Sequence, residues 1–64
     1  MNDLLRRALA DARLTEADVA NRLGVDPKTV RRWVAGRVPY PRNRARIASL
    51  VRRDEVDLWP QLAV

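Results

Sequence analysis

Residues 15–36, TEADVANRLGVDPKTVRRWVAG, restrict the fold more than any other stretch of the chain. Thr15 with Asp18 three residues later is a capping-box variant, with Asp where Glu or Gln is usual, so a helix opens there. Glu16 and Asp18 also suit the positive end of that helix. Val19, Ala20 and Leu23 recur on one inward face. Gly24 accepts the left-handed turn that ends a helix. Asp26 then caps a new helix, and Pro27 takes its first position. This second helix is expected over about residues 27–35, stopping at Gly36. Val30, Trp33 and Val34 share one of its faces, while Lys28, Arg31, Arg32 and Ala35 share another. Two helices joined by so short a turn cross at close range, and Ala20 is small enough to allow it. Trp33 is read as a core residue, since the helix is too short to bury anything else as large.

The remaining segments supply three more helices. Leu5, Ala8, Leu9 and Ala12 fall at i, i+3, i+4 and i+7, predicting a helix over about residues 3–12, capped by Asn2 or Asp3. Arg37-Val38-Pro39-Tyr40-Pro41 is a loop stiffened by its two prolines. Pro41 opens a fourth helix to about residue 52, with Ile47, Ala48, Leu50 and Val51 as its buried stripe. Asp54-Glu55-Val56-Asp57 is a further helix start, and Pro60 ends a short fifth helix over about residues 55–59. Val56 and Trp59, or Leu58, close the base of the core, and residues 61–64 are expected to fray. No repeat, low-complexity segment or linker interrupts the 64 residues, so they are read as one all-α domain. At this size only about 60% of the unfolded surface is buried on folding. No cysteine is present to add a disulfide or a thiolate metal site, so helix packing must hold the fold.

Charge is segregated along the chain. Residues 1–27 carry a net of −1, residues 28–53 a net of +9 with no acid at all, and residues 54–64 a net of −3. A block so free of acids repels itself and calls for an anionic partner. Twelve of the thirteen cations are arginine, which binds phosphate and the guanine edge bidentately. Arg42, Arg44 and Arg46 lie near the start of the fourth helix, where cations oppose the helix dipole, which suggests a role toward a partner. A short helix with a basic outer face and an apolar inner face, presented by a second helix, is a device for reading DNA. No apolar run approaches the roughly 20 residues of a membrane helix. The amphipathic, acid-containing N-terminus does not resemble a signal peptide, so a cytoplasmic, nucleoid-associated protein is the expectation.

With these elements in place, LTEADVANRLGVDPKTVRRWVAGRVPYPRNR, followed by a helix and DLWP, resembles the helix-turn-helix domains of the lambda-repressor-like, Cro/XRE class. It is similar to that class's short bacterial regulators, above all those of actinobacteria. Ala20, Gly24, Val30 and Trp33 match the spacing of the small, turn and apolar positions of the motif, and the likeness covers essentially the whole chain. It implies a compact five-helix bundle with the third helix as recognition helix. The class's base-contacting positions fall on Pro27, Lys28 and Arg32, with Thr29 and Arg31 beside them. Pro27 departs from the usual polar residue and offers a thymine methyl contact instead. Glu16 stands where many members carry a glutamine that touches the DNA backbone. A carboxylate there is repelled by phosphate, and its alternatives are to orient Arg31 or Arg32 or to accept from a cytosine amino group. Arg52-Arg53 stands where Gly-Val is more usual, a departure at the turn before helix five.

The resulting expectation is a transcriptional regulator that binds double-stranded DNA by sequence. Helix three enters the major groove, with Lys28 and Arg32 on base edges and Arg31 as a phosphate contact or second reader. Thr15, Thr29, Arg37, Tyr40, Arg42 and Arg44 are expected on the sugar-phosphate backbone, Thr15 together with the amides opening helix two. About five to seven neutralised phosphates give a log-log salt slope of about −0.9 per phosphate. Modules this small commonly bind as homodimers on palindromic half-sites. No cofactor, metal or small-molecule ligand is expected. Two other readings stay open: an excisionase or MerR-like architectural DNA-binding protein, and an antitoxin or adaptor module on the same scaffold. An enzyme is not expected: there is no histidine or cysteine, one serine, and carboxylates only in dispersed capping positions.

Overall fold

Asn2 is where the ends of the chain and its middle meet. Its side-chain oxygen accepts from the Leu5 amide at 2.9 Å and caps the first helix. Its side-chain amide donates to the Leu58 carbonyl at 2.9 Å, and its backbone N–H donates to the Val34 carbonyl at 2.8 Å. The computed structural model describes residues 1–63 and contains helices α1 (Asp3–Asp11), α2 (Glu16–Leu23), α3 (Pro27–Val34), α4 (Pro41–Val51) and α5 (Glu55–Leu58), followed by a 3-10 turn at Pro60–Leu62. There is no strand among the described residues. The all-helical five-helix architecture expected from the sequence is present.

One core serves all five helices. Leu5, Ala8 and Leu9 of α1 meet Val19, Ala20 and Leu23 of α2, Val30, Trp33 and Val34 of α3, and Ile47, Ala48 and Val51 of α4. Leu58 and Trp59 close the base and are among the most buried side chains. At about 25 cal/mol per Å² of apolar area removed from water, these side chains supply the main drive to fold. Val56 does not share this role: it is 46% exposed. A four-residue helix makes about one turn, so it buries one side chain firmly, and Leu58 takes that place. Leu50 is half-buried at the core's edge.

Four helices end in the same way. After α2, Gly24 has φ 71°, and the Val25 amide reaches back to the Ala20 carbonyl at 3.0 Å. After α1, Arg13 has φ 58° and the Leu14 amide reaches the Leu9 carbonyl at 2.9 Å. After α4, Arg52 has φ 57° and the Arg53 amide reaches the Ala48 carbonyl at 3.1 Å. These caps favour glycine, which α2 has and α1 and α4 lack; α3 closes with the same backbone bond, from the Arg37 amide to the Arg32 carbonyl at 3.0 Å, and it too has a glycine of positive φ, Gly36. Arg52 therefore holds the left-handed turn before α5 without being glycine. The same caps set α1 and α4 one residue shorter than the periodicity suggested. A Cβ at Gly24 would meet nothing within 4 Å, so glycine is needed for its backbone angle and not for space. Residues 61–63 are also more regular than the expected frayed tail, because the 3-10 turn includes Gln61 and Leu62. Val64 lies outside the described residues.

Candidate nucleic-acid interface

Local sequence signals fix the two helices that build the site. In α2 the Thr15 hydroxyl accepts from the Asp18 amide at 3.0 Å, and the Asp18 carboxylate accepts from the Thr15 amide at 2.9 Å. The Thr15 backbone N–H first, then the Thr15 hydroxyl, with Arg22 adding a smaller attraction, hold the Asp18 carboxyl below its ordinary range. In α3 the Asp26 carboxylate accepts from the Lys28 amide at 2.7 Å, and Pro27 occupies the first turn. Val30, Trp33 and Val34 turn into the core, which leaves Lys28, Arg31 and Arg32 on the outer face. The chain then turns at Gly36, whose φ is 128°, and Pro39 is buried while Tyr40 stands 83% exposed at the start of α4.

Beside α3 this turn creates an open groove of about 510 Å³, lined by Thr29, Arg32, Arg37, Val38, Tyr40 and Asn43, with the Trp33 ring and Pro39 also contributing. Its lining is mixed: Trp33, Val38 and Pro39 are apolar, and the others bring two guanidinium groups, two hydroxyls and an amide. That combination suits a deoxyribose-phosphate chain, with carbon against the apolar side chains and phosphate oxygens on the polar donors. Asn43 was not singled out by sequence. Its only signal is its position in the first turn of α4, three residues beyond Tyr40.

The cations of the acid-free block divide into two groups. Arg44 donates to the Pro39 carbonyl at 2.9 Å and pairs with Glu55 at 3.2 Å, with its side chain 20% exposed. Arg46 donates to the Leu23 carbonyl at 3.1 Å and the Arg22 carbonyl at 3.4 Å. Arg53 pairs with Asp11 at 3.1 Å, and Arg31 pairs with Glu16 at 3.5 Å. Among the described residues, Lys28, Arg32, Arg37, Arg42 and Arg52 have no side-chain hydrogen bond or ion pair. Four of these five belong to α3, the following loop and the first turn of α4. Arg52 ends α4, roughly 16 Å away at 1.5 Å per residue.

Two residues expected on the phosphate backbone have partners within the fold. Arg44, expected on the phosphate backbone, is engaged inside the fold, where it ties the proline loop to α5. Thr15 has its hydroxyl and amide committed to the capping box, between the Glu16 and Asp18 carboxylates. The unfavourable dipole at the start of α4 is also offset within the molecule. Arg46 reaches the negative end of α2, and Glu55 neutralises Arg44. Lys28, Arg32, Thr29, Arg37, Tyr40 and Arg42 remain together on the outward surface, and Pro27 is exposed at the leading end of α3.

The architecture is that of a helix-turn-helix module, the class that presents one short helix to DNA from a second helix. The chain belongs to a helix-turn-helix domain family, whose model matches residues 13–59. The match starts at the left-handed turn after α1 and ends at the buried Trp59, so it covers both motif helices, the proline loop, α4 and α5. No curated protein and no solved structure matches the chain. No described helix is long and apolar enough to cross a membrane.

Proposed function

We propose that this protein regulates transcription by binding double-stranded DNA at a defined sequence, in the manner of the lambda-repressor-like, Cro/XRE class. The division of the cations in the acid-free block carries the reading: four of the five without an internal partner, Lys28, Arg32, Arg37 and Arg42, lie on α3, the proline loop and the first turn of α4. In this reading α3 enters the major groove. Lys28 and Arg32 donate to guanine O6 and N7, Pro27 meets a thymine methyl, and Arg31 is a second reader. Thr29, Arg37, Tyr40 and Arg42 hold the sugar-phosphate backbone beside it. Two copies occupy palindromic half-sites about one helical turn apart.

Selection of bound duplexes from a random pool at physiological salt tests the proposal. A palindromic consensus rich in guanine at the α3 positions is the expected outcome. Binding that shows no sequence preference at any position would remove the regulator reading. It would favour the second reading, an architectural DNA-binding protein, which the excisionase-like character of the matched family supports. The helical course of residues 42–59, where a winged fold requires a β-hairpin, weighs against that second reading.

A further inference from the structure

The N-terminus of α2 lies beside the outer face of α3, because Glu16 at its first turn reaches Arg31 on that face. Helix N-termini ordinarily attract phosphate. This one carries two carboxylates, Glu16 and Asp18, and the capping box already occupies two of its backbone donors, the Thr15 and Asp18 amides. It therefore repels phosphate at the edge of a surface otherwise built of cations.

The bond to Arg31 is selective in its use of atoms. Glu16 Oε1 takes only the Nε–H of Arg31, at 3.5 Å. The two terminal Nη groups stay open on a side chain that is 73% exposed. Those are the groups that a guanidinium aims at guanine O6 and N7. A guanidinium held this way can still read a base edge, but its charge is already balanced toward a passing phosphate.

We propose that Glu16 is a specificity-determining residue: it takes Arg31 out of sequence-independent phosphate binding and leaves its Nη face for a base. The inference rests on the DNA-binding reading given above. Non-specific affinity is a sum of phosphate contacts, whereas specific affinity adds base contacts made only at close approach. Glu16 therefore lowers the first more than the second and widens the ratio between them.

The test compares wild type, Glu16→Gln and Arg31→Ala on one random-sequence duplex and on the duplex selected from the pool, over a range of salt. An exposed ion pair is worth little, so Glu16→Gln is expected to tighten random-duplex binding by about two- to fivefold. Its log-log salt slope on that duplex should steepen by about 0.9, one added phosphate contact. Binding to the selected duplex should change less, so the specificity ratio falls. Arg31→Ala should weaken the selected duplex by about tenfold, the lower range of a base contact, and leave the random duplex within about twofold. The inference is overturned if Glu16→Gln leaves random-duplex affinity and slope unchanged, or if Arg31→Ala weakens both duplexes equally. Wild type that shifts neither duplex would instead remove the DNA-binding reading itself, so the two failures are distinct. Thermal melting of both variants establishes that each is folded.

Discussion

The Arg46 guanidinium donates to the Leu23 carbonyl at 3.1 Å, so a side chain of α4 closes the C-terminal end of α2. The last carbonyls of a helix lack intrahelical partners and carry partial negative charge. A cation from a neighbouring helix satisfies both needs and fixes the angle between α2 and α4. Arg46→Ala is expected to lower stability by about 1.5 kcal/mol, the lower end of the range for a hydrogen bond to a charged group, since Arg46 is exposed. For a domain of this size each kcal/mol shifts Tm by about 4–8 °C, measurable by circular dichroism. Affinity for DNA well below the transition should change little, and a large loss there with an unchanged Tm would contradict the structural role.

In the proposed reading Arg32 reads a base and Arg42 holds the phosphate backbone. Arg32→Ala is expected to relax preference at one position of the selected sequence, at about 1–3 kcal/mol of discrimination. Arg42→Ala should weaken all duplexes alike and reduce the salt slope by about one phosphate. Selection and titration of both variants on the same pool measure the difference. Equal, sequence-independent losses from both would remove Arg32 from the readers.

Arg13 and Arg52 hold left-handed backbone without being glycine. Such a conformation costs an L-residue roughly 1–2 kcal/mol, of which glycine gives back about 0.5–1 through its freer unfolded chain. Arg52→Gly is expected to stabilise the fold by about 0.5 kcal/mol, a Tm rise of about 2–4 °C. Arg13→Gly should do the same, and the pair should depart from simple addition, since the Arg53–Asp11 ion pair joins the two turns. A fall in Tm for both would show that the arginine side chains contribute more than their backbone strain removes.

These same turns show where the sequence was legible. The α2–α3 motif could be placed almost to the residue because Thr15, Asp18, Gly24, Asp26 and Pro27 each announce a cap by their own chemistry. The ends of α1 and α4 could not, because an arginine in a left-handed turn leaves no local signal. The core was readable wherever a helix ran two turns or more, and it failed at α5, where one turn cannot tell Val56 from Leu58. The outward surface was readable only in part. Charge pattern locates the cations, but whether an arginine is open or engaged depends on what the fold brings to it. Glu55 reaches Arg44 from 11 residues away, and the Leu23 carbonyl reaches Arg46 from 23. Asn43 entered the groove for the same reason.

Acid should loosen the start of α2. Its bonds with Thr15 hold the Asp18 carboxyl below the ordinary value of 3.8. A group whose pKa falls on folding contributes stability that is fully present above its unfolded value and is lost as pH drops through the folded one. The contribution of Asp18 is therefore complete at neutral pH and disappears at pH values below about 4. Thermal melts of wild type and Asp18→Asn should differ at pH 7 and converge in strong acid. A constant difference across that range would show that Asp18 does not act as a charged cap.

The Asn2–Leu58 bond joins positions 56 apart in sequence. Contacts of such separation form after the chain has closed a long loop, late on the way to the native state. Interactions absent from the folding transition state act on the rate of unfolding and hardly on the rate of folding. Asn2→Ser keeps a cap for α1 and is too short to reach Leu58, so it should speed unfolding in stopped-flow measurements and leave the refolding arm in place. The clasp between the two ends thus sets a lifetime: it decides how long α3 stays presented once the domain has formed, and has little influence on how quickly it gets there.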